Sequence, residues 1–173
     1  MAISKKIEKN FNAQMVREFY SSYLYLAMAG YFEEIGLKGF ANWMRMQAEE
    51  ERMHAMKFYD YILSRGGKVV LGQIDAPSKG WKSPLNAFEE TLKHEESVTT
   101  HIHELASLSI EEKDHAANSF LKFFIDEQVE EEEGVHDILA KLRLIKDSSS
   151  GLFMIDAELA KRPMPAALGT AGA

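Results

Sequence analysis

Four long stretches of this chain place apolar residues three or four positions apart, the spacing that lines one face of an α-helix. The first stripe reads Ile7, Phe11, Gln14, Glu18, Ser21, Tyr25, Met28, and the second Phe40, Met44, Gln47, Glu51, His54, Phe58, Tyr61. The third reads Leu85, Phe88, Leu92, Glu95, Thr99, Ile102, Ala106, and the fourth Ala117, Leu121, Phe124, Gln128, Glu131, Val135, Ile138, Leu142. Val69-Val70-Leu71 is the only β-like run. Ser4 suits an N-cap, so the first helix is expected to run from there to Glu34, before Gly36. The second starts near Lys38 and stops at Gly66-Gly67, a C-cap signal after Arg65. Ser83-Pro84 opens the third, with serine capping and proline at the first helical position, and this helix reaches about Ile110. A fourth covers roughly His115 to Lys146 and is broken by Ser148-Ser149-Ser150-Gly151; Leu152 to Lys161 predicts a short fifth. The fold class is all-α.

Connection lengths then set the topology. Helices one and two are joined by a few residues around Gly36, and three and four by a few around Lys113, so each pair is expected to be antiparallel. Between helices two and three lie the 16 residues Gly67 to Lys82. Extended, they reach ~50 Å against the ~42 Å of a ~28-residue helix. The connection can cross the whole bundle, which makes helices two and three parallel. The prediction is a four-helix bundle with one long crossover and a short fifth helix. Residues 1–162 form one domain, and the Pro/Ala/Gly-rich stretch 163–173 is expected to be a disordered tail.

Each stripe turns acidic at the middle of its helix. An uncompensated buried ion costs several kcal/mol, so such groups are paired, protonated or bound to metal. No Lys or Arg shares the stripes at that level, so the compensating cation is expected from outside the chain. Helix midpoints meet in an antiparallel bundle, which brings Glu18, Glu51, Glu95 and the Gln128/Glu131 pair to one level. Glu51 and His54 are three apart and offer an oxygen and an imidazole nitrogen from one helix face; Gln128 and Glu131 repeat the spacing. Four carboxylates with one imidazole suit a pair of hard or borderline cations, iron or manganese above all. Glu50, Glu127 and Glu130 lie beside these faces and are read as an accessory cation site. Tyr25 is either a core tyrosine bonded to a neighbour, or one that bonds a ligand carboxylate or supplies an electron. His94, His101, His103, His115 and His136 fall off the stripes and are read as surface residues.

Composition narrows the rest. The 173 residues are 46% hydrophobic and 27% charged, a globular balance. Twenty-seven acids against 20 bases leave a net charge of -7 with no basic block, which argues against nonspecific nucleic-acid binding. The absence of cysteine excludes disulfides, thiolate zinc sites, iron–sulfur clusters and cysteine nucleophiles. The opening MAISKKIEKNF does not resemble a signal peptide, and no stretch nears ~20 uninterrupted apolar residues. No membrane partner and a cytoplasmic location are expected.

The chain resembles the prokaryotic non-haem ferritins over at least residues 4 to 160. The likeness lies in REFYSSYLYL around Glu18, GLKGFANWMRMQAEEERMHAMKFYDY around Glu51 and His54, LKHEE around Glu95 and DEQVEEEE around Gln128. The resemblance implies that Glu18, Glu51 and His54 hold one iron, that Glu51 bridges, and that Glu95 and Glu131 hold the second with Gln128 beside it. It places a third iron at Glu50, Glu127 and Glu130, and a tyrosine near the centre at Tyr25. Arg52 stands where a bacterioferritin has its haem-ligating methionine, so no haem is expected. Asn118 and Leu121 match the acids that line an iron channel in animal ferritins, which puts that route in doubt.

The function implied is ferroxidase and iron store. Fe2+ is oxidised at the dinuclear site by O2 or peroxide, and Fe3+ passes into the cavity of a homo-oligomeric shell, expected to have 24 subunits. Helix one carries Phe19, Tyr20, Tyr23, Leu24 and Leu26 beyond its core stripe, which fits a second face buried against another subunit. The rivals are a di-iron redox enzyme such as a peroxidase without storage, a DNA-protecting mini-ferritin, and a metal-free helical interaction protein. Acidic charge and a fifth helix argue against the second, and the acidic core layer against the third.

Overall fold

The computed structural model describes residues 2–146 and 148–166, and among these every regular element is a helix. They are α1 (Lys5–Glu34), α2 (Lys38–Ser64), α3 (Pro84–Glu111), α4 (His115–Ile145) and α5 (Ser149–Leu159). The caps are the expected ones at α1 and α3, where Ser4 Oγ accepts from the Ile7 amide and Ser83 Oγ from the Asn86 amide. Gly36 and Gly66 take positive φ just past the ends of α1 and α2, a conformation that other residues adopt only with strain.

Contacts at the helix ends establish the directions. The Ile3 amide donates to the Arg65 carbonyl, so the start of α1 meets the end of α2. Lys6 pairs with Glu111 and Glu112 at the end of α3, and Arg65 pairs with Asp114, the N-cap of α4. Phe40 and Phe88, near the starts of α2 and α3, pack edge to face. Hence α2 runs antiparallel to α1 and α4 and parallel to α3, as the crossover requires. Val69 to Leu71 lie within that crossover and form no strand. Asn12 of α1 bonds the Val70 amide and the Lys68 carbonyl instead, which ties the crossover to the bundle.

Two expectations at the C-terminal end change. Ser148-Ser149-Ser150-Gly151 is not a break, because Ser148 caps α5 by accepting from the Gly151 amide, and α5 begins three residues before Leu152. The reversal falls at Lys146, which takes positive φ. Asp156 of α5 then caps α2, whose own N-cap Leu37 has no side-chain acceptor; its Oδ1 accepts from the Gly39 and Phe40 amides at 2.7 and 3.0 Å. Gly39 permits the approach, since a Cβ there would stand 1.7 Å from the Asp156 carbonyl oxygen. Residues 163–166 follow without helix or strand, and the rest of the expected tail, 167–173, lies outside the described residues.

The apolar core is divided. One cluster gathers Tyr25 to Phe32, Phe40 to Ala48, Phe88 and Val135 to Leu142; the other gathers Ile7 to Met15, Ala55 to Ile62, Val98 to Leu105 and Ala117 to Phe124. Between them in all four helices lies a buried polar layer. All seven residues of the α1 stripe and all eight of the α4 stripe are buried. In α3 the buried line runs through Thr91, Val98 and Leu105 rather than Leu92, Thr99 and Ala106, a rotation of one position. Leu24 belongs to this chain's own core, whereas Tyr23 and Leu26 are half exposed. Leu121 is fully buried inside the bundle, so it lines no external channel.

Candidate metal centre

The polar layer is built from one segment of each long helix. Glu18 of α1, Glu51 and His54 of α2, Glu95 of α3, and Gln128 and Glu131 of α4 are all buried. Ligand atoms of Glu18, Glu51 and His54 lie within 4.8 Å of one another, close enough for one cation. His54 Nδ1 is 3.3 Å from Glu51 Oε2. Its Nε2 is the buried side-chain nitrogen left without a hydrogen-bond partner among the described residues. Burial, helped by the nearby Lys57 charge, pulls the His54 pKa down to about 4, so the ring is neutral and keeps a lone pair for a cation.

Each carboxylate is held by a neutral neighbour. Gln14 Nε2 donates to Glu18 Oε1 at 2.8 Å, and Gln47 Nε2 to Glu131 Oε2 at 2.6 Å. Glu95 accepts from the Tyr25 hydroxyl and from Gln128 Nε2, whose amide also reaches Thr99. Tyr25 is thus a fully buried tyrosine bonded to a neighbouring carboxylate, which both readings of it contain.

Burial dominates the electrostatics. It raises Glu18, raises Glu51 well above the usual carboxylate range, and lifts Glu95 to about 7 and Glu131 to about 8. Glu51 is pushed further by the charges of Glu95, Glu18 and Glu131, which marks it as the meeting point of the four acids. The same forces keep the Tyr25 hydroxyl protonated. Without a cation the layer must hold protons that water would remove, and cations of total charge near +4 would take their place. An oxygen-rich set with one imidazole and no thiolate fits iron or manganese.

A second carboxylate group adjoins the first. Glu50, Glu127 and Glu131 offer oxygens within 4.8 Å of one another, and Glu131 also belongs to the buried polar layer. Glu130, expected there, is exposed and outside the group. Glu127 and Glu131 stand one helical turn apart on a shared face, whereas Glu130 is turned by ~100° from Glu131. The reading that no chain cation reaches this layer is also corrected, since Arg162 Nη2 bonds Glu50 Oε2 at 2.6 Å and Nη1 bonds Gln47 Oε1 at 2.7 Å.

Other residues went unassigned in the sequence. Gln14 and Gln47 sat in the stripes beside the acids, and that placement was the available signal. His94 is largely buried rather than superficial; its Nε2 lies 2.8 Å from Ser21 Oγ and its ring meets Tyr25 edge-on. Burial draws its pKa to about 4. No periodicity points to it, because it lies at the flank of the α3 stripe.

A bundle with this crossover and with buried carboxylates from all four helices has the arrangement of the ferritin-like class of carboxylate proteins. The family model for the ferritin-like domain matches residues 8–145, most of the chain. The bacterial non-heme ferritin of Bacteroides fragilis is 41% identical over 160 residues, which span 92% of this chain and 99% of that protein. Its counterpart from Staphylococcus saprophyticus is 40% identical over 92% of this chain and 96% of its own length. Among solved structures, an open-pore ferritin from the archaeon Archaeoglobus fulgidus superposes with a TM-score of 0.93 at 49% identity, covering 94% of this chain and all of that one. This chain belongs to the ferritin family, in its bacterial and archaeal non-haem branch.

Proposed function

We propose that the chain is the subunit of an iron store that oxidises its own cargo. The observation that carries this reading is the buried layer at mid-bundle, where Glu18, Glu51, His54, Glu95 and Glu131 converge. Two Fe(II) ions bind as substrate, with Glu51 bridging. Each gives one electron to a common O2, which takes up two protons and leaves as H2O2; peroxide serves as the alternative oxidant. The carboxylates favour the higher charge of Fe(III), which drives the electron transfer. Tyr25 and Gln128 orient Glu95, and Gln14 and Gln47 orient Glu18 and Glu131. Glu50, Glu127 and Glu131 take a third, more exposed cation, with Glu130 further out.

The store is a homo-oligomeric shell of 24 subunits in the cytoplasm, without nucleic-acid partners. The half-exposed Tyr23 and Leu26 of α1 and the exposed Val70 and Leu71 of the crossover supply apolar surface for subunit contacts. No helix among the described residues is long and apolar enough to cross a membrane. Haem has no place in this reading: Arg52 is paired to Glu49 at the helix surface. Aerobic loading with Fe(II), followed by size-exclusion chromatography and an iron-to-protein ratio, tests the proposal. Hundreds or more irons per assembly, coeluting with protein, are expected. A ceiling of two or three irons per chain would favour the peroxidase-like rival.

A further inference from the structure

Arg162 follows α5 and belongs to none of the four long helices, yet its side chain reaches the acidic layer. Its Nη2 lies 2.6 Å from Glu50 Oε2, its Nη1 lies 2.7 Å from Gln47 Oε1, and the guanidinium sits 4.5 Å over the Trp43 ring. Gln47 in turn donates to Glu131 at 2.6 Å. Two of the three acids of the accessory group are therefore tied to this one cation, Glu50 directly and Glu131 through an amide. Its backbone is clamped as well. Asn42 Nδ2 donates to the carbonyls of Leu159, Ala160 and Arg162 at 3.3, 3.4 and 3.1 Å.

We propose that Arg162 is the built-in counter-cation of the Glu50, Glu127 and Glu131 group, a positioning residue that a third metal ion must displace from Glu50. This rests on the reading of that group as a cation site. With Arg162 seated, Glu50 is ion-paired and Glu131 is aimed through Gln47 without metal. A divalent ion drawn to the group meets a fixed positive charge on one of its ligands, so it binds more weakly than the buried pair and leaves more readily. The guanidinium keeps its bond to Gln47 or swings outward, and either movement alters its contact with Trp43. The pair is about four-fifths buried, at 23% and 19% side-chain exposure, so solvent screening only partly weakens the competition.

Zn(II) titration of the assembled, chelator-stripped protein by calorimetry tests this. Emission is followed in parallel in a Trp81→Phe background, which leaves Trp43 as the sole tryptophan. Arg162→Ala is expected to tighten the third class of sites about fivefold to tenfold and to leave the first two unchanged. Arg162→Gln, which keeps a hydrogen-bonding amide without the charge, is expected to tighten it likewise, whereas Arg162→Lys stays near the parent. Trp43 emission should shift at the third equivalent in the parent and lose that shift in Arg162→Ala. A third class unchanged or weakened in both uncharged variants overturns the proposal and leaves the accessory site standing. No third class in any of the proteins overturns the accessory site itself, and the role of Arg162 with it.

Discussion

Replacing Glu131 by glutamine removes a titrating carboxyl from the acidic layer while keeping its size and its ability to accept from Gln47. Burial, followed by the charges of Glu95 and Glu50, raises the folded-state pKa of Glu131 from 4.5 to about 8. A carboxyl raised in this way binds its proton more tightly folded than unfolded. Its contribution is fully present below the unfolded value and is lost as pH climbs towards about 8. Between pH 5 and pH 8 the unfolded chain gains about 4 kcal/mol by ionising this group, of which the folded protein recovers less than about 1, a net of roughly 3 kcal/mol. For a chain of this size that corresponds to roughly 6–12 °C in Tm. Metal-free Glu131→Gln should therefore melt close to the parent at pH 5 and above it by that margin at pH 8. Calorimetric scans of chelator-treated protein at several pH values, with the oligomeric state held constant, measure the difference. A Tm gap that does not change with pH would mean that Glu131 titrates as it does in water, and the argument for a proton-laden core would fall.

Zn(II) added anaerobically to the metal-free parent should raise its Tm, because a cation that binds only the folded layer stabilises it by about 2.7 kcal/mol at a hundredfold excess over Kd. Superimposable melting curves would argue against a metal site. Glu51→Ala removes the acid on which the other three converge, and the initial rate of aerobic Fe(II) oxidation should drop about tenfold or more; an unchanged stopped-flow trace would sink the dinuclear assignment. Glu130→Ala should leave all three Zn(II) classes in place while Glu127→Ala removes the third, as calorimetry would report. Loss of the tight pair in Glu130→Ala would instead put Glu130 in the core.

Periodicity determined much of this protein before any contact was known. The helix spacing of Ile7 to Met28 and of Ala117 to Leu142 sets which face is buried, and acids at the midpoints of four such faces bring Glu18, Glu51, Glu95 and Glu131 to one level. Local geometry suffices there, since a helix turns by a constant angle per residue and equal helices align their centres. Caps at Ser4 and Ser83 are equally local. Where a stripe has soft edges the same logic slips: Leu92 and Thr91 both suit a core, and only tertiary packing, with Met28 of α1 against its hydroxyl, put Thr91 inside. Tertiary structure alone decided what lies off the stripes. His94 is buried because Ser21, Tyr20 and Tyr25 of α1 close over the flank of α3. Arg162 reaches Glu50 because Asp156 and Gly39 dock α5 against the start of α2, and no spacing along the chain encodes a contact across 112 residues. Period gives direction about a helix axis, whereas the partner of a side chain in a loop is chosen by the packing of every element between them.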